Sequence, residues 1–242
     1  MALIDQRYFI QTTRLGFRLW RQDDLDIALG LWGDIQVTRF IDARGRLTKA
    51  QVRERLEQEI ATQRDYGIQY WPVFLLESGE HVGCCGLRPY DRPRRVYEIG
   101  FHIRSNHWRC GYAYEAARAV IWLAFGKPLA FGKPLAFGKP LAFGKPLAFG
   151  KLPTLGQFKA AGLFAGHNPQ NEASRLLLEK LGFHYTHDEY YSATGLDHPS
   201  YLLTADEYVH QSEASRPASR LPGSDGVTID SDSDEPPNEF DL

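Results

Sequence analysis

The sequence predicts an α/β fold, a mostly antiparallel sheet flanked by helices. Three observations carry this reading. Strand-type runs with β-branched and aromatic residues are interleaved with longer stretches of helix formers. Two of those runs, YWPVFLLES and EHVGCCGLRPY, are joined by a turn at Ser78-Gly79-Glu80, the signature of a hairpin. Residues 95–125, RVYEIGFHIRSNHWRCGYAYEAARAVIWLAF, pass from a strand through a short polar loop into an alanine-rich helix. The rest of the chain is arranged around that last unit.

The elements follow in order. Residues 13–20, TTRLGFRL, alternate enough for a first strand. Asp23 and Asp24 are candidate caps for a helix over DDLDIALGLWG, since acids suit a helix start. Thr48 caps a second helix, TKAQVRERLEQEIATQRD, whose many charges predict a solvated face. The hairpin and the 95–125 unit come next. After residue 151, FKAAGLFAG reads as a strand ending at His167. A helix is expected to begin at Asn168 or Pro169, with Leu176, Leu177 and Leu181 as its apolar stripe and Gly182 as its stop. FHYTHDEYYSATGLDHPSYLLT then reads as two strands around a polar loop.

These readings divide the chain into an N-terminal extension over 1–12, a domain over 13–208 and a tail over 209–242. Within the domain lies a tandem repeat over 123–151, in which LAFGKP occurs four times and is followed by LAFGK. Proline after each lysine disfavours helix, so the chain is expected to leave the helix near Phe125 as an irregular loop. The simpler reading is an in-frame duplication tolerated on the surface, because lengthening a loop costs little. The alternative is a multivalent Phe/Lys element for a membrane or an anionic partner. The tail is rich in Ser, Pro, Gly and acids and is expected to be disordered and solubilising. Its VTIDSDSDE stretch also resembles a SUMO-interacting motif.

Composition narrows the function. The chain has 242 residues, 43% of them hydrophobic, which suits one sizeable core with appendages. No apolar run approaches a membrane span and no secretory signal is visible at the start, so a cytoplasmic location is expected. Three cysteines, two of them adjacent, point to reduced thiols rather than a disulfide framework or a zinc site. The net charge is −2. From Leu221 onward there are seven acids and no base, and five lysines of the body (127, 133, 139, 145 and 151) belong to the repeat. Without repeat and tail the body is near neutral, so nucleic-acid binding is not expected. His184, His187 and His198 lack the i, i+4 spacing of helical metal ligands, and no metal is expected.

Two motifs carry the chemistry. In the first, Trp108 to Ala113 read WRCGYA at a helix start. Small residues at Gly111 and Ala113 leave backbone N–H groups open, and with the positive end of the helix dipole they suit a phosphate. Arg109 adds a cation there. The second is NPQNEAS…LLEKLGF, again following a strand and opening a helix. Together the two resemble the GNAT acetyltransferases. Gly111 and Ala113 match that family's Gln/Arg-x-x-Gly-x-Gly/Ala loop, with Trp108 standing where Gln or Arg is usual. Asn171 through Phe183 match its second segment. A tryptophan followed by GYA and EA looks like the ribosomal-protein, or Rim-type, branch that acetylates protein N-termini.

The resemblance implies a mixed, mostly antiparallel sheet whose central parallel pair splays into a V, with acetyl-CoA lying in that V. It implies that backbone groups of His102 and Ile103 pair with the pantetheine arm. Amides of Arg109, Cys110, Gly111, Tyr112, Ala113 and Tyr114 would hold the pyrophosphate, and Asn171 would contact the cofactor. Acetyl transfer needs an amine made neutral and a thiolate protonated as it leaves. Glu98 is the candidate base, in an apolar run where burial raises a carboxyl's pKa toward a useful range. Its alternative role is a paired structural acid. The family's usual acid, a Tyr before the Glu-Lys pair, is Leu178 here, and Ser174 is the candidate in its place. Cys110 is read as a small loop residue rather than a nucleophile, since the family transfers the acetyl group directly within a ternary complex. Glu115 is read as support for the helix start.

Tyr190 and Tyr191, in the loop from Glu189 to His198, are candidates for an acceptor pocket, since aromatics with acids suit a cationic amine. The expected acceptor is a primary amine, with a protein N-terminus first and a small-molecule or antibiotic amine second. A weakly active CoA-binding or interaction protein is the alternative of a different class.

Overall fold

The computed structural model describes residues 8–126 and 158–214, with side chains up to residue 211. The repeat from residue 127 onward and the tail from residue 215 lie outside the described residues, and so do the expectations that fall on them; residues 209–214, expected in the disordered tail, are helical instead. Strands β1 (Ile10–Gln11) and β2 (Leu15–Phe17) are followed by helices α1 (Leu25–Trp32), α2 (Ile35–Thr38) and α3 (Lys49–Tyr66). Strands β3 (Tyr70–Leu75), β4 (His81–Asp91) and β5 (Val96–Ile103) lead into α4 (Tyr112–Phe125). The second half is β6 (Gly162–Gly166), α5 (Glu172–Lys180), β7 (His184–Tyr191), β8 (Leu196–Thr204) and α6 (Ala205–Ala214).

The eight strands form one open sheet in the order β1-β2-β3-β4-β5-β6-β8-β7. Every pair is antiparallel except β5–β6, as the expected fold class requires. One face packs under α4 through Ile99, Val120, Ile121, Leu163 and Leu203. The other packs under α1 and α3 through Trp20, Leu31, Trp32, Val52, Leu56 and Tyr70. Two aromatic-rich cores on opposite faces explain why both faces of β3 and β4 are buried along most of their length. Cys84 and Cys85 go one to each core, and burial pushes both thiols up. Among the described residues no helix is long and apolar enough to cross a membrane.

Helix starts follow side-chain chemistry, with two departures from expectation. Thr48 does cap α3, in a capping box with Gln51. Asp24 occupies the cap position of α1 but makes no side-chain cap bond. Its carboxylate instead takes both terminal nitrogens of Arg18, at 2.6 and 2.7 Å, a stronger bidentate pair than a single amide offers. Helix α5 starts at Glu172, not at residue 168 or 169. Asn168 folds into an Asx turn on the Gln170 amide, and Asn171 is the cap. The buried face also differs from the expected stripe. Leu178 and Leu181 are buried, whereas Leu176, expected in the apolar stripe, is 53% exposed. Gly182 stops the helix as expected, at φ +89°.

Helix α4 ends at Gly126 in the left-handed conformation, φ +70°. The Ala160 N–H then donates to the Ala124 carbonyl at 3.3 Å. Residue 124, at the start of the repeat, and residue 160, nine residues after it, therefore meet.

Candidate active site

The parallel pair positions the site. β5 and β6 are in register at Val96–Gly162, Tyr97–Leu163 and Glu98–Phe164, and no further. Beyond Glu98, β5 continues to Ile103 paired only with β4. Beyond Phe164, β6 continues to Gly166 paired only with β8. The two strands part at Glu98, leaving backbone groups of Ile99–Ile103 on one arm of a V without a ladder partner on the β6 side. His102 and Ile103 lie on that arm. The Ile103 carbonyl also accepts the Trp108 indole N–H at 2.8 Å. Trp108 thus braces the end of β5.

At the mouth of the V stands the amino end of α4. The chain enters it through left-handed turns at Arg109 (φ +63°) and Gly111 (φ +78°). The first helical bond is Glu115 N–H to Gly111 carbonyl. The amides of Tyr112, Ala113 and Tyr114 therefore have no intrahelical partner, as an anion cradle requires. A Cβ on Gly111 would meet only the Arg14 guanidinium, at 3.5 Å, so the space over the turn is open. Arg109 and Cys110 are exposed.

The anchored cation at this loop is Arg14, which the sequence reading did not single out. Its Nε donates to Glu115 at 2.7 Å, its Nη1 to the Cys110 carbonyl at 3.0 Å, and its guanidinium lies 4.7 Å from the Tyr112 ring centre. Glu115 is buried and also accepts from the Thr12 hydroxyl (2.5 Å) and the Arg14 amide (2.9 Å). It fastens the β1–β2 turn to α4, a wider role than support of its own helix. Arg14→Gln is expected to weaken the hold of this loop on a phosphate-bearing ligand about tenfold, the loss of one charge-assisted hydrogen bond. Binding titrations of parent and variant check this, and an unchanged affinity would remove Arg14 from the anion site.

On the α1–α3 face, Glu98 is half-buried and its Oε1 accepts the Tyr70 hydroxyl at 2.8 Å. Arg88, opposite Glu98 on β4, pairs with the fully buried Glu59 of α3 and lies 4.2 Å from the Tyr70 ring centre. The His102 ring turns to the same face. Its Nδ1 accepts from the Trp32 indole at 3.2 Å, and burial, with Arg55 and Arg88 nearby, holds its pKa well below the ordinary value. The neutral ring then carries its hydrogen on Nε2.

The remaining site residues come from the second half of the chain. The Asn171 side chain caps α5 by accepting the Ser174 amide at 3.2 Å. Ser174 is half-buried on the first turn, its hydroxyl without a hydrogen bond among the described residues. Leu178 is 1% exposed and belongs to the core under α4.

Tyr190 and Tyr191 end the edge strand β7, 66% and 40% exposed. The hairpin they enter is tied across the molecule, since the Ala43 N–H, in the α2–α3 loop, donates to the Ala193 carbonyl at 2.8 Å. Nearer Glu98 is a residue missed in the sequence, Tyr90. A β-bulge between Pro89 and Asp91 re-aims it. Its ring stacks on Phe164 at 3.9 Å, and its hydroxyl donates to Glu189 at 3.1 Å. Phe164 is the register partner of Glu98, so an aromatic and acidic wall adjoins that carboxylate. Among the described residues no group of three His, Cys, Asp or Glu side chains is placed to hold a metal ion.

A parallel pair that parts beside a carboxylate, next to an open helix start, defines an α/β protein with a cleft between two strands and an anion site at its end. A family model described as an acetyltransferase (GNAT) domain matches residues 14–184, and the chain belongs to the GNAT acetyltransferase family. The YkkB protein of Bacillus subtilis (strain 168) is 28% identical over 177 residues, which are 72% of this chain and 84% of that protein. The N-acetyltransferase p20 of Bacillus licheniformis is 26% identical over 112 residues, 46% of this chain and 63% of that one, so the match spans just under two thirds of p20. Among solved structures, a GNAT-family acetyltransferase from Bacillus anthracis superposes with a TM-score of 0.60 at 20% identity, covering 82% of this chain and 99% of that one. RimL, a ribosomal L7/L12 alpha-N-protein acetyltransferase solved with coenzyme A, gives 0.58 at 11% identity, with 81% and 97% covered. At these identities the superpositions speak for the fold.

Proposed function

We propose that this protein transfers the acetyl group of acetyl-CoA to a primary amine, with a protein N-terminus as the first acceptor class, directly within a ternary complex. The observation that carries this is the parting of β5 and β6 at Glu98, beside the open amino end of α4. Acetyl-CoA supplies the activated acetyl thioester. The backbone edge at His102 and Ile103, unpaired on the β6 side, suits the pantetheine arm, with the Ile103 carbonyl held by Trp108. The amides from Arg109 to Tyr114 suit the pyrophosphate, with Arg14 as the fixed cation. Asn171, at the start of α5, is the further candidate contact.

Glu98 takes the proton from the acceptor ammonium, directly or through a water, and leaves a neutral amine to attack the thioester carbonyl. As the C–S bond breaks, Ser174 passes a proton to the departing sulfur and takes back the one that the attacking nitrogen loses when the amide forms. A serine is a weak acid, so Ser174→Ala is expected to lower kcat by about tenfold, less than loss of a matched acid would. Turnover equal to the parent at every pH tested would remove Ser174 from the mechanism. The acceptor side is walled by Tyr90, Phe164 and Glu189, and the hairpin with Tyr190 and Tyr191 extends from that wall. Aromatic faces beside a carboxylate favour a cationic amine. The Rim-type spelling of the loop, Trp108 followed by GYA and EA, favours a peptide N-terminus among such amines.

The experiment is free-thiol release from acetyl-CoA against N-terminal peptides, polyamines and aminoglycosides, with acetyl-CoA binding followed in parallel. Turnover on peptides is the expected result. Turnover confined to polyamines or aminoglycosides would move the acceptor to the small-molecule class. Acetyl-CoA binding without release on any amine would favour a binding protein, and no binding would overturn the proposal.

A further inference from the structure

We propose that Tyr70 is a positioning residue for Glu98, its hydroxyl locking one carboxylate oxygen so that the other is presented to the acceptor amine. The inference rests on Glu98 being the base, and it concerns a residue on a different strand with no place in either sequence motif.

The geometry is that of a side chain with no freedom of its own. The Tyr70 amide donates to Glu59 Oε2 at 2.8 Å. Its ring lies 4.2 Å from the Arg88 guanidinium carbon on one side and meets the His102 ring edge-on at 5.7 Å on another. A third contact is with Gly100 of β5, where an added Cβ would come within 2.2 Å of the Tyr70 Cζ. The ring therefore needs a glycine at that position to reach Glu98 at all. Gly100 lies two residues after Glu98 on the same face of the strand, so one stretch of β5 supplies both the carboxylate and the seat for the ring that holds it.

The hydroxyl so placed donates to Glu98 Oε1 at 2.8 Å. Tyr70 is 2% exposed, and burial together with the charge of Glu98 pushes its phenol well above the ordinary range. It stays a donor throughout the working pH range. Glu98 Oε2 has no hydrogen bond among the described residues and remains the oxygen available to an incoming amine or water. A carboxylate on a half-exposed strand has two free side-chain torsions beyond Cβ, and a fixed donor on one oxygen removes that freedom before the acceptor arrives.

The test is a double-mutant cycle on the full chain, using acetyl-CoA and the amine most rapidly turned over in the thiol-release assay. Tyr70→Phe keeps the ring and removes the hydroxyl. It is expected to lower kcat at least tenfold with KM for acetyl-CoA unchanged. In a Glu98→Gln background the same change is expected to have no further effect, because a positioning residue acts only through the group it positions. Melting curves of both variants verify folding.

Parent-like kcat in Tyr70→Phe overturns the inference while leaving the base in place. An equal loss in both backgrounds overturns it too, since that is the mark of a structural role. Full turnover in Glu98→Gln alone overturns the base assignment and the inference with it, an outcome distinguishable from the first two.

Discussion

Glu98→Gln is expected to lower kcat by about 10²–10⁴-fold, the usual contribution of a positioned general base. Acetyl-CoA binding should keep its Kd. The substitution preserves shape, and an amide oxygen can still accept from Tyr70, so the network around the side chain survives. What is lost is the capacity to take a proton. Glu98 is the last β5 residue in register with β6, so its carboxylate stands where the two strands part. Rates should fall across the pH range, and high pH should restore part of them, because an acceptor amine that is already neutral needs no base. Calorimetric titration with acetyl-CoA separates this from a folding defect. A kcat within about threefold of the parent would assign Glu98 to the structural role that its bond to Tyr70 also permits.

Arg88→Met is expected to destabilise the protein by about 3 kcal/mol, because it leaves a buried carboxylate without its counter-ion. For a chain of this size that lowers Tm by roughly 10 °C. Glu59 is the reason. Its side chain is fully buried under α3, with Arg88 and the Tyr70 amide as its partners. Arg88 itself is partly exposed, so the loss comes from stranding Glu59 rather than from the attraction alone. Converting both residues, Arg88→Met with Glu59→Leu, should return much of the stability by replacing the pair with apolar contact. Thermal unfolding of the parent, the single and the double variant reads this directly. A single variant as stable as the parent would show that Glu59 has another way to stay satisfied.

The parts of the site that were legible in the sequence are local ones. The run from Val96 to Phe125 contains strand, loop and helix in continuous order, so its chemistry shows in its spelling. The Asn171–Phe183 segment is similar. The pieces that hold the site rigid are not local. Arg14 meets Glu115 across 101 residues, and Arg88 meets Glu59 across 29. Nothing in TTRLGF distinguishes an arginine that will fasten a loop from one that will face solvent. Tyr90 depends on a bulge, and β4 is buried on both faces, so it has no alternation in which an extra residue would show as a phase shift.

The start of α5 was misplaced for a different reason. Asn168 and Asn171 are equally good caps, and the choice between them is made by an Asx turn at Gln170. Which leucine is buried is a separate matter of packing: Leu176, Leu177 and Leu178 are consecutive, and the core contact under α4 selects Leu178.

The contact between Ala124 and Ala160 fixes a span. Residue 124 lies in the last turn of α4 and residue 160 stands two residues before β6, so the described fold sets the distance between two points of the chain whatever sequence connects them. By chain statistics the cost of connecting two such points depends only weakly on the number of residues, roughly 0.6 kcal/mol per doubling. Removing LAFGKP copies is therefore expected to change the melting temperature little.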